Sequence, residues 1–351
     1  MFAGTAYLGE MISSQAMEFA LDTIRTVAGE LPAEAAVECR RFPGGLESSR
    51  VGEVTVRFCD RHGRPRLLRT VLKELDGWMV REASIYRNLA TKYARELSPQ
   101  LLGVMHPEPG KVFLCIEAIR RAKAWPWQDV ELAGDLLRWL ARFHLEAKQA
   151  HIAVPCWDFE ARLEEMAYLT QAAVAGCRKD PDLQPLARSL PAIRRLILQQ
   201  KRLREQLCGE APFGEGPIHG DVHSGNVLIR HRQSRLSPIL LDWGRARVGS
   251  PIEDISSWLQ SLGCYEWEAK RRHDKLLCDY LSEIGQERKI TSSLRAAYWV
   301  AGARNALAGA LLHFICAVKD EKRNKRERAE AFRAAQNWTR VILRADAYSR
   351  A

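Results

Sequence analysis

His219-Gly220-Asp221-Val222-His223-Ser224-Gly225-Asn226, followed further on by Leu241-Asp242-Trp243-Gly244, decides how this chain is read. Asp221 and Asn226 are five positions apart, and sixteen positions separate Asn226 from Asp242. In the interval, Val227-Leu228-Ile229 and Ile239-Leu240-Leu241 flank a polar stretch that begins Arg230-His231-Arg232. Apolar β-formers on either side of a polar turn predict an antiparallel hairpin. In such a hairpin the start of the first strand lies beside the end of the second. Asn226 and Asp242 are therefore expected together at its open end, with Asp221 in the loop that feeds the first strand. Asp, Asn and Gly also punctuate ordinary turns, so no single residue here is diagnostic. The order and the hairpin together are. Three oxygen-bearing side chains brought together this way suit phosphoryl transfer, one taking a hydroxyl proton and two fixing magnesium on phosphates.

Such chemistry also needs a lysine on the phosphates and a glutamate to hold it. Val54-Thr55-Val56-Arg57-Phe58 alternates as a strand, and a second strand from Leu67 to Leu75 contains Thr70-Val71-Leu72-Lys73. From Trp78 to Ala90, Met79, Glu82, Ile85, Tyr86 and Leu89 recur at helical spacing. Glu82 thus falls on the inward stripe, where an ionised carboxylate needs a cation. Lys73 is the expected partner, with Arg57 and Arg69 as competitors. Gly44 and Gly45 precede the first strand, where glycine would let backbone amides approach phosphates, although an ordinary turn explains them too. Lys111 to Glu117 reads as a buried strand running into Ala118-Ile119, and Asp135 to Ala147 as a helix containing His144. Ser250-Pro251-Ile252-Glu253 reads as a capping box with proline at the first helical position. Asp254 then lies in the first turn, at the positive end of the helix dipole.

Taken together, His219 to Leu228, Leu241 to Gly244 and Pro251-Ile252-Glu253-Asp254-Ile255 resemble the aminoglycoside phosphotransferase and choline-kinase-like family of small-molecule kinases. Protein kinases normally carry His-Arg-Asp in the loop and Ala-Pro-Glu after the metal-binding aspartate. This chain has His-Gly-Asp, a second histidine and no Ala-Pro-Glu. The resemblance implies an α+β, two-lobed protein-kinase-like fold. Residues 1–35 would be a helical extension, residues 36–118 an antiparallel-sheet lobe with one helix, and residues 119–351 a larger, mostly helical lobe. It implies Asp221 as catalytic base and Asn226 and Asp242 as magnesium ligands. Lys73, oriented by Glu82, would hold the α- and β-phosphates of ATP (or GTP). Gly44 and Gly45 would cover the phosphates, and Glu117 and Ile119 would belong to the hinge that meets the adenine. His219, His223 and Asp254 would support the loop. Acceptor contacts are expected from the helices between about 150 and 215 and those after 255, with Asp158, Glu266 and Trp267 as candidates. The implied reaction moves a γ-phosphate to a small-molecule hydroxyl, first of all on an aminoglycoside-like or other antibiotic, a resistance function. A choline-like, sugar or amino-alcohol metabolite is the alternative acceptor, and a non-catalytic kinase-fold binding protein the alternative function.

Composition agrees with that frame and narrows it. At 351 residues the chain is long enough for two packed lobes. Its net charge of +10 could suit a nucleic acid, but arginine and lysine are interleaved with acids in helical segments such as Lys319 to Arg333. No nucleic-acid-binding signature accompanies the charge. The apolar stretch from Val300 to Val318 is broken by Arg304, Asn305 and His313, which predicts a buried helix rather than a membrane span. Nine cysteines without a Cys-x-x-Cys or an even framework, and the lack of a signal-like start, predict reduced thiols and a cytoplasmic protein. A monomer or homodimer is expected.

Overall fold

A computed structural model describes residues 12–29, 35–42, 50–122, 130–209, 213–232, 235–263, 272–286 and 289–350. Gly44, Gly45, Glu266 and Trp267 lie outside the described residues. Five antiparallel strands form one sheet in the order β1-β2-β3-β5-β4: β1 Ala36–Arg41, β2 Arg50–Cys59, β3 Pro65–Asp76, β4 Leu101–Met105 and β5 Lys111–Glu117. The period-2 alternation of side chains gives this sheet two distinct faces. Val54, Val56, Leu72, Phe113 and Cys115 pack against Ile12, Ala16, Ala20 and Ile24 of the helix Ser14–Ala28 and the residues just before it. That amphipathic helix starts at Ser14, because the Ser13 hydroxyl accepts the Ala16 amide and caps it. It lies directly on the sheet as an outer layer.

The opposite face, carrying Leu75, Val112, Leu114 and Ile116, joins the main core. Lys73 shares that face with Leu75, two residues away, so β3 presents its amine toward the second lobe. After β3 a short 3-10 turn, Gly77–Val80, leads into the helix Arg81–Ile85, which continues as a π turn, Tyr86–Ala90. Met79, Ala83, Ile85, Tyr86 and Leu89 are buried there as the periodicity requires.

The larger lobe is mostly helical. The long helix Val130–Gln149, which buries Leu136, Leu137, Leu140, Phe143 and His144, packs against the second strand of the hairpin of β7 (Val227–Arg232) and β8 (Arg235–Leu240). A two-stranded pair, β6 Gly216–Ile218 and β9 Arg247–Gly249, brackets the loop before the hairpin. Beyond β9 come the helices Pro251–Gly263, His273–Glu283 and Ser292–Asn305. The apolar stretch from Val300 to Val318 is helical through a π turn, Ala306–Ala310, into Leu311–Lys319. Arg304 within it is only 2% exposed and is held by Gln200 and Glu160. The last helix, Lys325–Arg350, packs against both of these helices.

Candidate active site

The hairpin is in register from Val227–Leu240 to Arg232–Arg235, and the Leu241 amide donates to the Asn226 carbonyl at 2.7 Å. Asn226 therefore sits across the ladder from the residue before Asp242. Upstream, the Asn226 amide nitrogen Nδ2 donates to the Asp221 carbonyl at 3.0 Å and to its Oδ2 at 3.3 Å. The three residues singled out in the sequence thus converge at one end of the hairpin.

Lys73 reaches the same point from the sheet. Its Nζ lies 2.7 Å from Glu82 Oε1 and 3.3 Å from Asp242 Oδ1. The competing arginines are engaged elsewhere, Arg57 with Glu38 and Arg69 with Glu53. Glu82 is fully buried and Lys73 is 11% exposed, whereas Asp242 keeps 47% exposure. Burial alone would push the Lys73 ammonium down, but the charges of Glu82 and Asp242 outweigh it and hold the amine above its ordinary value. Lys73 in turn holds the Asp242 carboxyl below its ordinary value. Lys73 and Asp242 thus each favour the charged form of the other.

Asp242 occupies left-handed backbone, φ 60° and ψ 68°, a conformation that is strained for a residue with a side chain. Its neighbours fix it there. Trp243 is completely buried, edge-on to Phe143 and His219, and its Nε1 donates to the Leu240 carbonyl. Gly244 passes so close to the preceding lobe that a Cβ would come within 2.8 Å of Met79 Cε.

A buried carboxylate braces the loop. Asp254 accepts the His219 and Gly220 amides, both at 2.8 Å, and His144 Nε2 at 3.1 Å. Burial opposes its charge, yet the hydrogen bonds from the His144 ring and the His219 amide keep its carboxyl below the ordinary value. His219 places Nε2 3.0 Å from the Leu241 carbonyl, while its Nδ1 accepts the Asp221 amide at 3.2 Å. One ring nitrogen must donate and the other accept, which is the neutral imidazole. Burial accordingly lowers its pKa. His223 uses Nδ1 to accept the Gly225 amide, and its Nε2 lies 3.9 Å from Asp221 Oδ2. It is a hydrogen-bonded loop residue beside the carboxylate. Arg245, which the motif reading did not single out, stands 3.7 Å from Asp221 Oδ1.

Other expectations are met differently. Only half of the capping box forms: Glu253 Oε1 accepts the Ser250 amide, but the Ser250 hydroxyl turns to the buried Phe213 carbonyl. Glu117 ends β5 with its carboxylate on Arg230 of the hairpin, and Ile119 is half-buried in the following segment. That segment reaches the second lobe through the Ala122 amide, which donates to the Ile229 carbonyl at 2.7 Å. Asp158 caps the helix Phe159–Gly176 by accepting the Ala161 amide at 2.9 Å, so its carboxylate has a structural use.

A five-stranded sheet over a helical lobe, with a lysine from one and an Asp-Asn-Asp array from the other at their junction, defines a protein-kinase-like small-molecule kinase fold. The chain belongs to the phosphotransferase enzyme family, whose model matches residues 39–277. Solved structures agree in fold. A protein of Ralstonia eutropha JMP134 described as an aminoglycoside phosphotransferase superposes with a TM-score of 0.58 at 15% identity, covering 96% of this chain and 98% of its own. A choline kinase of Cryptosporidium parvum Iowa II gives 0.54 at 13% identity, covering 93% of this chain and 94% of its own. An amicoumacin kinase in complex with AMP-PNP and Ca2+ gives 0.55 at 16% identity, covering 93% and 96%. No curated protein matches the chain.

Proposed function

We propose that the protein is an ATP-dependent kinase of a small-molecule hydroxyl, with Asp221 as base and with Lys73, Asn226 and Asp242 holding the nucleotide and its metal. The observation that carries this reading is the Lys73 ammonium held between Glu82 and Asp242 at the open end of the Asn226 hairpin. A surface lysine would have no reason to be buried between two carboxylates that belong to different lobes.

The donor set fits magnesium. Asn226 commits Nδ2 to Asp221, which leaves its amide oxygen for a metal, and Asp242 contributes an exposed, ionised carboxylate. Among the described residues there is no group of three or more His, Cys, Asp or Glu able to hold a metal ion. A two-ligand site of this kind is completed by phosphate oxygens and water, the pattern that magnesium follows in kinases. When bound, magnesium would neutralise charge that builds on the phosphates during transfer. Lys73 would bind phosphate oxygens, and Glu82 keeps that amine charged and aimed. Asp221 would take the acceptor's proton or turn its hydroxyl in line, with Asn226 and Asp254 fixing the loop that carries it. Arg245 supplies positive charge beside the reacting atoms. Because the transition state is loose, this positioning and electrostatic preorganisation provide most of the rate.

The family makes an aminoglycoside-like or other antibiotic hydroxyl the first acceptor to try, with choline-like, sugar and amino-alcohol metabolites next. Among the described residues, two acids offered by the acceptor-side sequence are already engaged. Asp158 caps its helix, and Glu160 pairs with Arg304 and Arg204. That favours acceptors with less positive charge than a polycationic aminoglycoside. The test is a screen of ATP consumption with magnesium across antibiotics and metabolite alcohols. Acceptor-dependent ADP release supports the reading, while silence with every class supports a non-catalytic binding protein instead.

A further inference from the structure

One buried side chain that joins the two lobes lies outside every sequence motif. Arg81 opens the helix that carries Glu82 and is only 9% exposed. Its Nη1 donates to the Gly244 carbonyl at 2.6 Å, and its Nη2 to the Ala246 carbonyl at 2.6 Å and to the Pro155 carbonyl. One guanidinium therefore joins the sheet lobe to two separate segments of the helical lobe. The planar fork can serve three acceptors at once, which an ammonium at the end of a lysine does less well.

A second layer closes over this contact. The Arg81 guanidinium lies 6.0 Å from the Trp157 ring centre, and Trp157 stacks on Trp78 at 5.4 Å with the planes 8° apart. Trp78 belongs to the Gly77–Val80 turn of the sheet lobe, so this ring pair also spans the two lobes. Arg247 faces the same indole at 5.6 Å and Phe159 at 3.7 Å, and it donates to the Gly220 carbonyl and to Glu253. The loop of Asp221, the turn of Asp242 and the helix of Glu82 are thus tied through two arginines around one tryptophan.

We propose that Arg81 is a positioning residue: it clamps the Asp242-Trp243-Gly244 turn to the Glu82 helix, so that Lys73, Glu82 and Asp242 are assembled as one unit before nucleotide arrives. The need for a clamp is local. Asp242 sits in left-handed backbone that persists only when its surroundings over-determine it. Trp243 holds the turn from beneath, and Arg81 holds it from the other lobe by the carbonyls two and four residues on. The clamp rests on the kinase reading, since Asp242 must bind the nucleotide's metal for its placement to matter.

The test uses AMP-PNP, titrated calorimetrically with magnesium and with EDTA, on the wild type, Arg81→Lys and Trp78→Ala. Amide exchange of residues 242–247 is followed alongside. Arg81→Lys keeps the charge and loses the fork. The magnesium-dependent gain in AMP-PNP affinity is expected to fall by about tenfold, the scale of one lost charge-assisted hydrogen bond. Affinity in EDTA should change much less, and residues 242–247 should exchange faster. Trp78→Ala removes a half-exposed ring outside the site and keeps the fold if Arg81→Lys does not; it should speed the same exchange by a smaller factor. A merely structural arginine would lower melting temperature and leave the magnesium-dependent gain intact in folded protein. That result, or unchanged exchange in both variants, overturns the proposal. A wild type that gains nothing from magnesium overturns the kinase reading itself, and the clamp with it.

Discussion

Lys73 and Glu82 show how much one residue pair can decide. Glu82 is fully buried, and its carboxylate is tolerable there because Lys73 lies 2.7 Å away. Removing the cation strands the anion. Lys73→Met is expected to cost about 3–5 kcal/mol in chemical denaturation, and adding Glu82→Gln should recover much of that loss, because a neutral pair no longer needs its partner. Recovery of stability without recovery of nucleotide binding would separate the two roles of the lysine. Periodicity put Glu82 inward, where a carboxylate demands a cation, and the downstream loop, which calls for a lysine–glutamate pair, singled out Lys73 over Arg57 and Arg69. Arg81, one position earlier, was not legible. Its partners are carbonyls between 74 and 165 residues away, and backbone acceptors leave no mark on sequence.

At the scale of elements, the hairpin does the placing. Two strands of six residues carry Asn226 and Asp242 to one end, and apolar runs with a polar turn are enough to foresee that. The bracing of the loop before it is less visible. Asp254 is in the first turn of its helix as dipole and capping rules suggest, but its work is done outside the helix, on the His219 and Gly220 amides and on His144. Asp254→Ala leaves those two amides buried without their acceptor, at about 1–3 kcal/mol each. Turnover is expected to drop while nucleotide affinity stays close to that of the wild type, because the loop of Asp221 loosens and the Lys73 site does not. Equal losses in both would mean that the helix as a whole had moved. The capping box illustrates the limit of local rules: its serine hydroxyl is taken by Phe213, a partner 37 residues away.

For the whole molecule, the buried histidine sets a pH dependence with a definite sign. Burial holds His219 below its ordinary value of 6.5. His313, partly buried and near Arg323 and His223, is shifted the same way. Below that ordinary value the unfolded chain binds protons that the folded chain refuses, so stability falls as pH drops from about 6.5 toward the folded values. Asp242 and Asp254 are shifted below 3.8, so their contribution is present above that value and is lost only as pH falls beneath it. Urea denaturation should therefore give a lower unfolding free energy at about pH 5.5 than at about pH 7.5. His219→Asn should flatten that slope; an unchanged slope would place the titrating group elsewhere. Nucleotide should act on the same scale. Saturating Mg·AMP-PNP at roughly 100 times its dissociation constant adds about 2.7 kcal/mol if it binds only the folded state. Magnesium alone should add little, because the proposed site of Asn226 and Asp242 would need phosphate oxygens to complete it. The two-lobed frame was legible through the resemblance of the His219 to Gly244 region to the family, while strand alternation and helical periodicity marked individual elements. The acceptor side was not, since it depends on which acids the packing consumes: Asp158, a candidate in sequence, caps its helix in the structure.

The most direct test of phosphoryl transfer at Asp221 is mass spectrometry of the acceptor after incubation with Mg·ATP, using wild type and Asp221→Ala side by side. The wild type should give an acceptor heavier by one phosphoryl group and an equal amount of ADP. The variant should fall by about 10²–10⁴-fold, the range of a lost general base, while binding AMP-PNP as tightly as the wild type. An acceptor phosphorylated equally well by Asp221→Ala would contradict the assignment of this carboxylate and of the site built around it.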